Sequence, residues 1–133
     1  GAYAMHEPVS QPTVDDELED IMFMAQWLDA AEAEVWPLKL PRSWYMQDPK
    51  RAGRCIARAA LARDPTVRDL YFSTESGRYP NSQGVVRILH RATVHFAVWN
   101  NTFRGPLCTS VALAERAAFR EALDAYQMWI DWQ

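Results

Sequence analysis

Histidines and carboxylates are the side chains of this 133-residue chain that could act as catalytic acids, bases or metal ligands. His90 and His95 are five residues apart, which separates them by about 140° on a helix and places them on opposite faces of a strand. Neither geometry brings the two rings to one site, so we interpret both as ordinary hydrogen-bonded histidines. The sequence also lacks the phosphate-binding loops, the nucleophile elbow and the zinc-binding helix motif of common enzymes. We therefore predict no catalytic residue, no metal, no cofactor and no enzymatic activity.

Clustered carboxylates have an ordinary structural explanation in this sequence. The acids at 15–20 fall in the first turns of a predicted helix, where the helix dipole favours negative charge. Glu115 is less usual because it projects beside the apolar face of the last predicted helix. We interpret it as an edge residue that pairs with an arginine of a neighbouring helix.

A basic stripe runs along a predicted helix at 49–63, opposite a face of small side chains. Its members fall within an arc of about 100° and are Lys50, Arg51, Arg54 and Arg58. Guanidinium groups suit bidentate contact with phosphate, so the stripe could bind anions or follow a nucleic-acid backbone. Two other interpretations stay open: a solvated face, or a docking site for the chain's own acidic first helix. A solvated arginine such as Arg54 should tolerate replacement by alanine at a cost of about 0.5 kcal/mol or less.

The first predicted helix, from about 14 to 34, carries two different apolar features. Its main stripe, expected to face the core, consists of Val14, Leu18, Ile21, Ala25 and Leu28. Phe23 and Trp27 lie on the other side, one turn apart, within an acidic surround that includes Asp20. Such a pair is typical of a protein-docking helix, so we predict Phe23, Trp27 and Asp20 as partner-binding residues. The alternative is that both faces of this helix are covered within the monomer.

Charge is distributed unevenly along the chain. The first 38 residues hold nine acids and no base, whereas residues 39–120 hold all fourteen bases and five acids. This asymmetry indicates either external partners or two parts of the chain that face each other. A pI of about 5.6 and the lack of helix-turn-helix or base-stacking signatures argue against nucleic-acid binding.

Length and composition indicate one globular domain, with an apolar fraction of 49%. We predict a tag remnant and flexible tail at 1–12 and a single helical domain at 13–133. No apolar run reaches the roughly 18 residues of a membrane span, and no signal-peptide pattern is present. We therefore expect an intracellular, cytoplasmic protein with no membrane partner, in which Cys55 and Cys108 are reduced thiols.

Capping signals place most of the remaining elements. Asp48-Pro49 predicts the start of the helix at 49–63, Asp64-Pro65 that of a short helix to about Tyr71, and Thr109-Ser110 that of a last helix to about Trp132. Turn-forming residues at 73–84 predict a surface loop.

The segment 84–99 decides the fold class because it fits two periodicities. Its β-branched residues favour a strand, but its large apolar residues also fall within about 100° of arc on a helix. The stretch is long for a strand, so we predict a helix. The fold class predicted is all-α, a compact bundle of four to five helices with a flexible acidic N-terminal tail. The alternative is α+β, with a hairpin at about 85–98 that is broken near His90.

These patterns favour a non-enzymatic binding or regulatory protein that acts through protein–protein contacts and associates with itself as a homo-oligomer. The alternative is a nucleic-acid-binding protein that uses the basic face of the helix at 49–63. No small-molecule substrate is evident in the sequence.

Overall fold

The computed structural model describes residues 2–5, 14–29, 31, 35–64, 66, 71–96 and 101–132. Its helices are α1 (Val14–Trp27), α2 (Arg42–Gln47), α3 (Pro49–Arg63) and α4 (Val111–Asp131). Its strands are β1 (Ala2–Met5), β2 (Tyr71–Pro80), β3 (Val86–Phe96) and β4 (Asn101–Arg104). The fold is therefore α+β.

The sheet is antiparallel and follows the order β1-β2-β3-β4. β2 and β3 form a long hairpin, paired from Tyr71 opposite His95 to Pro80 opposite Val86. Its turn is held by the Asn81 side chain, which accepts the N–H groups of Gln83 and Val85. β4 adds to the other edge of β3, and β1 adds to the free edge of β2.

The prediction of an all-α helical bundle was wrong, and the error lies mainly at 84–99. β3 buries Ala92, Val94 and Phe96 completely, so burial alternates with a period of two. The strand has a partner on each side, and these pairings outweigh the helical arc that its apolar residues also satisfy. The α+β alternative is closer, but β3 passes through His90 unbroken and its hairpin partner is β2.

The surface loop predicted at 73–84 was also wrong for most of its length. Residues 73–80 belong to β2, where Thr74 and Ser76 are buried on the same face as Phe72. Small polar residues are common in turns, but here pairing with β3 holds them in an extended conformation. The actual turn is confined to residues 81–85.

Two predicted helices were confirmed at their starting residues. Asp48 caps α3 by accepting the N–H of Arg51, and Ser110 caps α4 by accepting the N–H of Leu113. α1 ends at Trp27, and residues 28 and 29 are not helical. Most of the short helix predicted after Asp64 lies outside the described residues. Ala2–Met5, within the segment predicted as tag and tail, form β1.

The core lies between α4 and one face of the sheet. Phe119 of α4 is fully buried, and its ring stands edge-on to Phe72 of β2 with centroids 5.8 Å apart. Gly105, after β4, allows close approach of the two layers, because a Cβ there would lie 3.0 Å from the backbone nitrogen of Ala118. The opposite face of the sheet carries no described helix.

The two cysteines are expected to differ strongly in reactivity. Burial and the nearby Asp20 carboxylate raise the pKa of the Cys55 thiol to about 12, whereas Cys108 is partly exposed. The thiolate is the reactive form, so a thiol reagent at mildly alkaline pH should modify Cys108 in the native protein and Cys55 only after unfolding. Because the raised pKa belongs to the folded state, its contribution to stability is present below pH 9 and is lost as pH rises towards 12. Modification of both thiols at one rate in the native protein would contradict this.

Candidate nucleic-acid interface

The basic stripe on α3 faces the chain's own helix α1. Asp20 of α1 is fully buried, and its carboxylate accepts two hydrogen bonds from Arg54, at 3.3 and 3.1 Å. Arg58 donates to the same carboxylate at 3.3 Å, and Arg51 Nε lies 3.0 Å from it. Three guanidinium groups thus converge on one carboxylate, which explains how a charged side chain can be buried here.

Two further ion pairs flank this cluster. Arg51 also pairs with Glu19 at 3.0 Å, and Lys50 pairs with Glu115 of α4 at 3.2 Å. Glu115 therefore has a partner on a neighbouring helix, as predicted, although the partner is a lysine. The stripe could bind anions, face solvent or dock the chain's own acidic helix, and these contacts correspond to the last of the three. Anion binding by Lys50, Arg51, Arg54 and Arg58 stays a prediction.

Two of the three residues predicted to contact a partner point into the monomer. Phe23 lies 4.9 Å from Trp44 of α2 between ring centroids, and the Arg51 guanidinium lies 5.4 Å from its ring. Asp20 faces α3, as described above. Trp27 is the last residue of α1, and its side chain lies outside what the structure describes. Partner binding through Phe23, Trp27 and Asp20 stays a prediction.

The consequence is that α1 presents the middle of its predicted apolar stripe outward, while Leu28, just after the helix, packs against the core. Leu18, Ile21 and Met22 are 54%, 56% and 67% exposed, although the sequence pattern predicts Leu18 and Ile21 in the core. The arginines of α3 account for this orientation, because they form ion pairs with Asp20, and Arg51 also lies over the ring of Phe23. We call Leu18, Ile21 and Met22 the α1 apolar face.

The face of the sheet that points away from the helices is a second polar surface. It was not predicted from the sequence, because residues 84–99 were interpreted as a helix. Strand register places odd-numbered residues of β2 and β3 on this face: Tyr79 opposite Arg87, Glu75 opposite Arg91, and Ser73 opposite Thr93. From β4 it receives Thr102 and Arg104. We call this surface the open face.

Charge on the open face is mostly positive. This face carries Arg87, Arg91 and Arg104 and one described acid, Glu75, whereas Arg78 lies opposite Ile88 on the helical side of the sheet. Glu75 pairs with Arg104 at 3.3 Å. Arg91 Nε is buried and has no hydrogen-bond acceptor among the described residues, and Arg87 is exposed. Basic side chains therefore occur on the sheet as well as on α3, and fewer of those on the sheet are paired with an acid.

The distal part of the β2–β3 hairpin extends past the helical layer. Val86 and Ile88 lie on the same face as Ala92, yet each is more than half exposed, because α4 begins only after the bridge between His90 and Cys108. Val85, in the turn, is exposed to the same degree. We call residues 78–88 the arm.

The two strand histidines lie on opposite faces and are hydrogen-bonded, as predicted. His90 Nδ1 lies 2.7 Å from Ser76 Oγ on the helical side, and His95 Nδ1 lies 3.0 Å from Thr102 Oγ1 on the open face. Within the described part of the chain, no three histidine, cysteine or acidic side chains come together as a possible metal site. None of the described helices is long and apolar enough to cross a membrane.

Comparisons with protein-family models, with curated proteins and with solved structures found no match to this chain.

Proposed function

We propose that this protein binds single-stranded nucleic acid through the open face of its sheet. One observation carries the proposal: three arginines and one acid lie on a face of the sheet that the described helices leave uncovered. A net charge of −3 does not oppose it, because most acids lie on other parts of the chain. Phosphate contacts depend on the local field rather than on the net charge.

Positions on the open face suit an extended strand of nucleic acid. Arg87 and Arg91 are four residues apart on β3, a distance of about 13 Å along the strand. Tyr79 lies opposite Arg87, and His95 lies beyond Thr93, so partly exposed rings occur at both ends of the basic row. Arginines would bind phosphates, and the rings would stack on bases, a mode that tolerates different sequences.

Single strands fit this surface better than duplex does. The described elements include no basic helix that is free to enter a major groove, since the arginines of α3 are engaged with Asp20. The exposed face of a sheet also makes its contacts with unstacked bases, which a single strand offers and a duplex does not.

The test is fluorescence anisotropy with a short labelled single-stranded RNA of mixed sequence, measured over a series of salt concentrations. The triple variant Arg87→Ala, Arg91→Ala, Arg104→Ala should bind about a hundredfold more weakly at low salt. The slope of log affinity against log salt should become shallower by about 2, since about 0.7 is lost for each phosphate contact.

A matched control removes the same charge elsewhere. Lys39, Arg42 and Arg63 are exposed on the helical side, and their joint replacement by alanine should leave the affinity within about threefold. Equal losses in both triple variants, or no binding by the wild type, would contradict the proposal. Tighter binding to duplex than to single strands would contradict the choice of ligand.

A further inference from the structure

The structure exposes two apolar surfaces that do not contact each other within the monomer. One is the α1 apolar face, and the other is the end of the arm formed by Val85, Val86 and Ile88, all more than half exposed. Clusters of this kind on a folded chain mark interaction surfaces more often than isolated exposed residues do.

The charges around the two surfaces are opposite. α1 carries acids at 15, 16, 17 and 19, and the Glu19 side chain is 62% exposed. The arm carries Arg78 and Arg87, both exposed, and no acid. Contact between two α1 helices would bring acids together, and contact between two arms would bring arginines together, which is unfavourable in both cases.

We infer that the arm of one molecule binds the α1 apolar face of a second copy. This pairing is the one that joins apolar to apolar and acid to base. The contact is heterologous, so a dimer keeps one unused arm on one molecule and one unused α1 on the other, and association continues head to tail. The small apolar area indicates weak association, with a dissociation constant of about micromolar or higher.

The backbone of the arm favours the same contact. The N–H and C=O of His90 form hydrogen bonds with Cys108, on the edge of β3 that also pairs with β4. Alternate residues of a strand direct these groups to the same side, so those of Ile88 and Val86 point to that edge too. Among the described residues nothing pairs with them there, which leaves that edge open beside the apolar side chains. A basic, apolar edge of this kind attracts an acidic partner and repels a second arm.

The test uses two variants that are each defective on one surface. Ile21→Ser with Met22→Ser removes the α1 apolar face, and Val86→Ser with Ile88→Ser removes the arm surface. Sedimentation velocity without nucleic acid should show concentration-dependent association of the wild type and monomers for each variant. An equimolar mixture of the two variants should form 1:1 dimers and nothing larger, because one intact α1 and one intact arm remain.

Met128→Ser provides the matched control, since Met128 is an exposed apolar residue of α4 outside both surfaces. It should associate as the wild type does. A wild type that stays monomeric at its highest soluble concentration would overturn the inference, and so would variants that fail to associate when mixed. Circular dichroism of each variant checks that it is folded. The arm variant keeps Arg87, Arg91 and Arg104, so failure here is separable from failure of RNA binding.

Discussion

Replacing Asp20 by alanine is expected to lower the free energy of unfolding by about 3 kcal/mol. Asp20 is fully buried, and its carboxylate is the common partner of Arg51, Arg54 and Arg58. Removing it leaves three cations close together without their counter-charge. The loss should lie at the low end of the range for broken buried pairs, because the three arginines keep partial access to water. Urea unfolding followed by circular dichroism measures it.

Glu19 is the matched control for this prediction. It precedes Asp20 on the same helix and also pairs with Arg51, at 3.0 Å, but its side chain is 62% exposed. Glu19→Ala should therefore change the unfolding free energy by about 0.5 kcal/mol or less. Equal effects of the two substitutions would show that burial of Asp20 does not hold α1 on α3.

Phe119→Ala should destabilise the protein by about 3–5 kcal/mol. The ring is fully buried, packs on Phe72 of the sheet, and lies within 3.1 Å of where a Cβ on Gly53 of α3 would be. One side chain therefore joins α4, the sheet and α3, and its loss leaves a cavity that no single neighbour can fill. Thermal and urea unfolding give the change in stability.

Leu113→Ala is the corresponding surface control. Leu113 lies on the same helix but is more than half exposed, so its truncation should cost about 0.5 kcal/mol or less. Gly53→Ala adds a second check, because the new methyl group meets the Phe119 ring at 3.0 Å. It should destabilise the wild type and be better tolerated together with Phe119→Ala. Independent, additive effects would contradict the packing described here.

The sequence predicted helices where local signals are complete and failed where pairing decides the structure. α3 and α4 begin with side-chain caps at Asp48 and Ser110, so their starts can be read directly from residue types. β3 satisfies helical and strand periodicity alike, and only its neighbours on both sides select the strand. β2 contains serine, threonine, glycine and proline, residues whose local preferences indicate a turn.

The candidate site was predictable only in part for the same reason. The basic stripe of α3 was visible in the sequence, and so was the option that it docks the acidic first helix. The outward orientation of Leu18 and Ile21 was not, since an apolar stripe ordinarily faces the core. The open face can be recognised only from the register of β2, β3 and β4. Arg91 and Arg104 are distant in sequence, and they share a face because Arg91 lies opposite Glu75 and Arg104 lies opposite Thr93.

Amide chemical-shift mapping during titration with a short single-stranded RNA tests the central claim most directly. Binding at the open face predicts the largest shifts at Glu75, Arg91 and Thr93 and at the neighbouring residues of β4. Shifts near Asp20 and Arg54 should be small, because the contact between α1 and α3 is not expected to change on binding. Large shifts confined to α1 and α3, or no shifts at RNA excess, would contradict binding through the open face of the sheet.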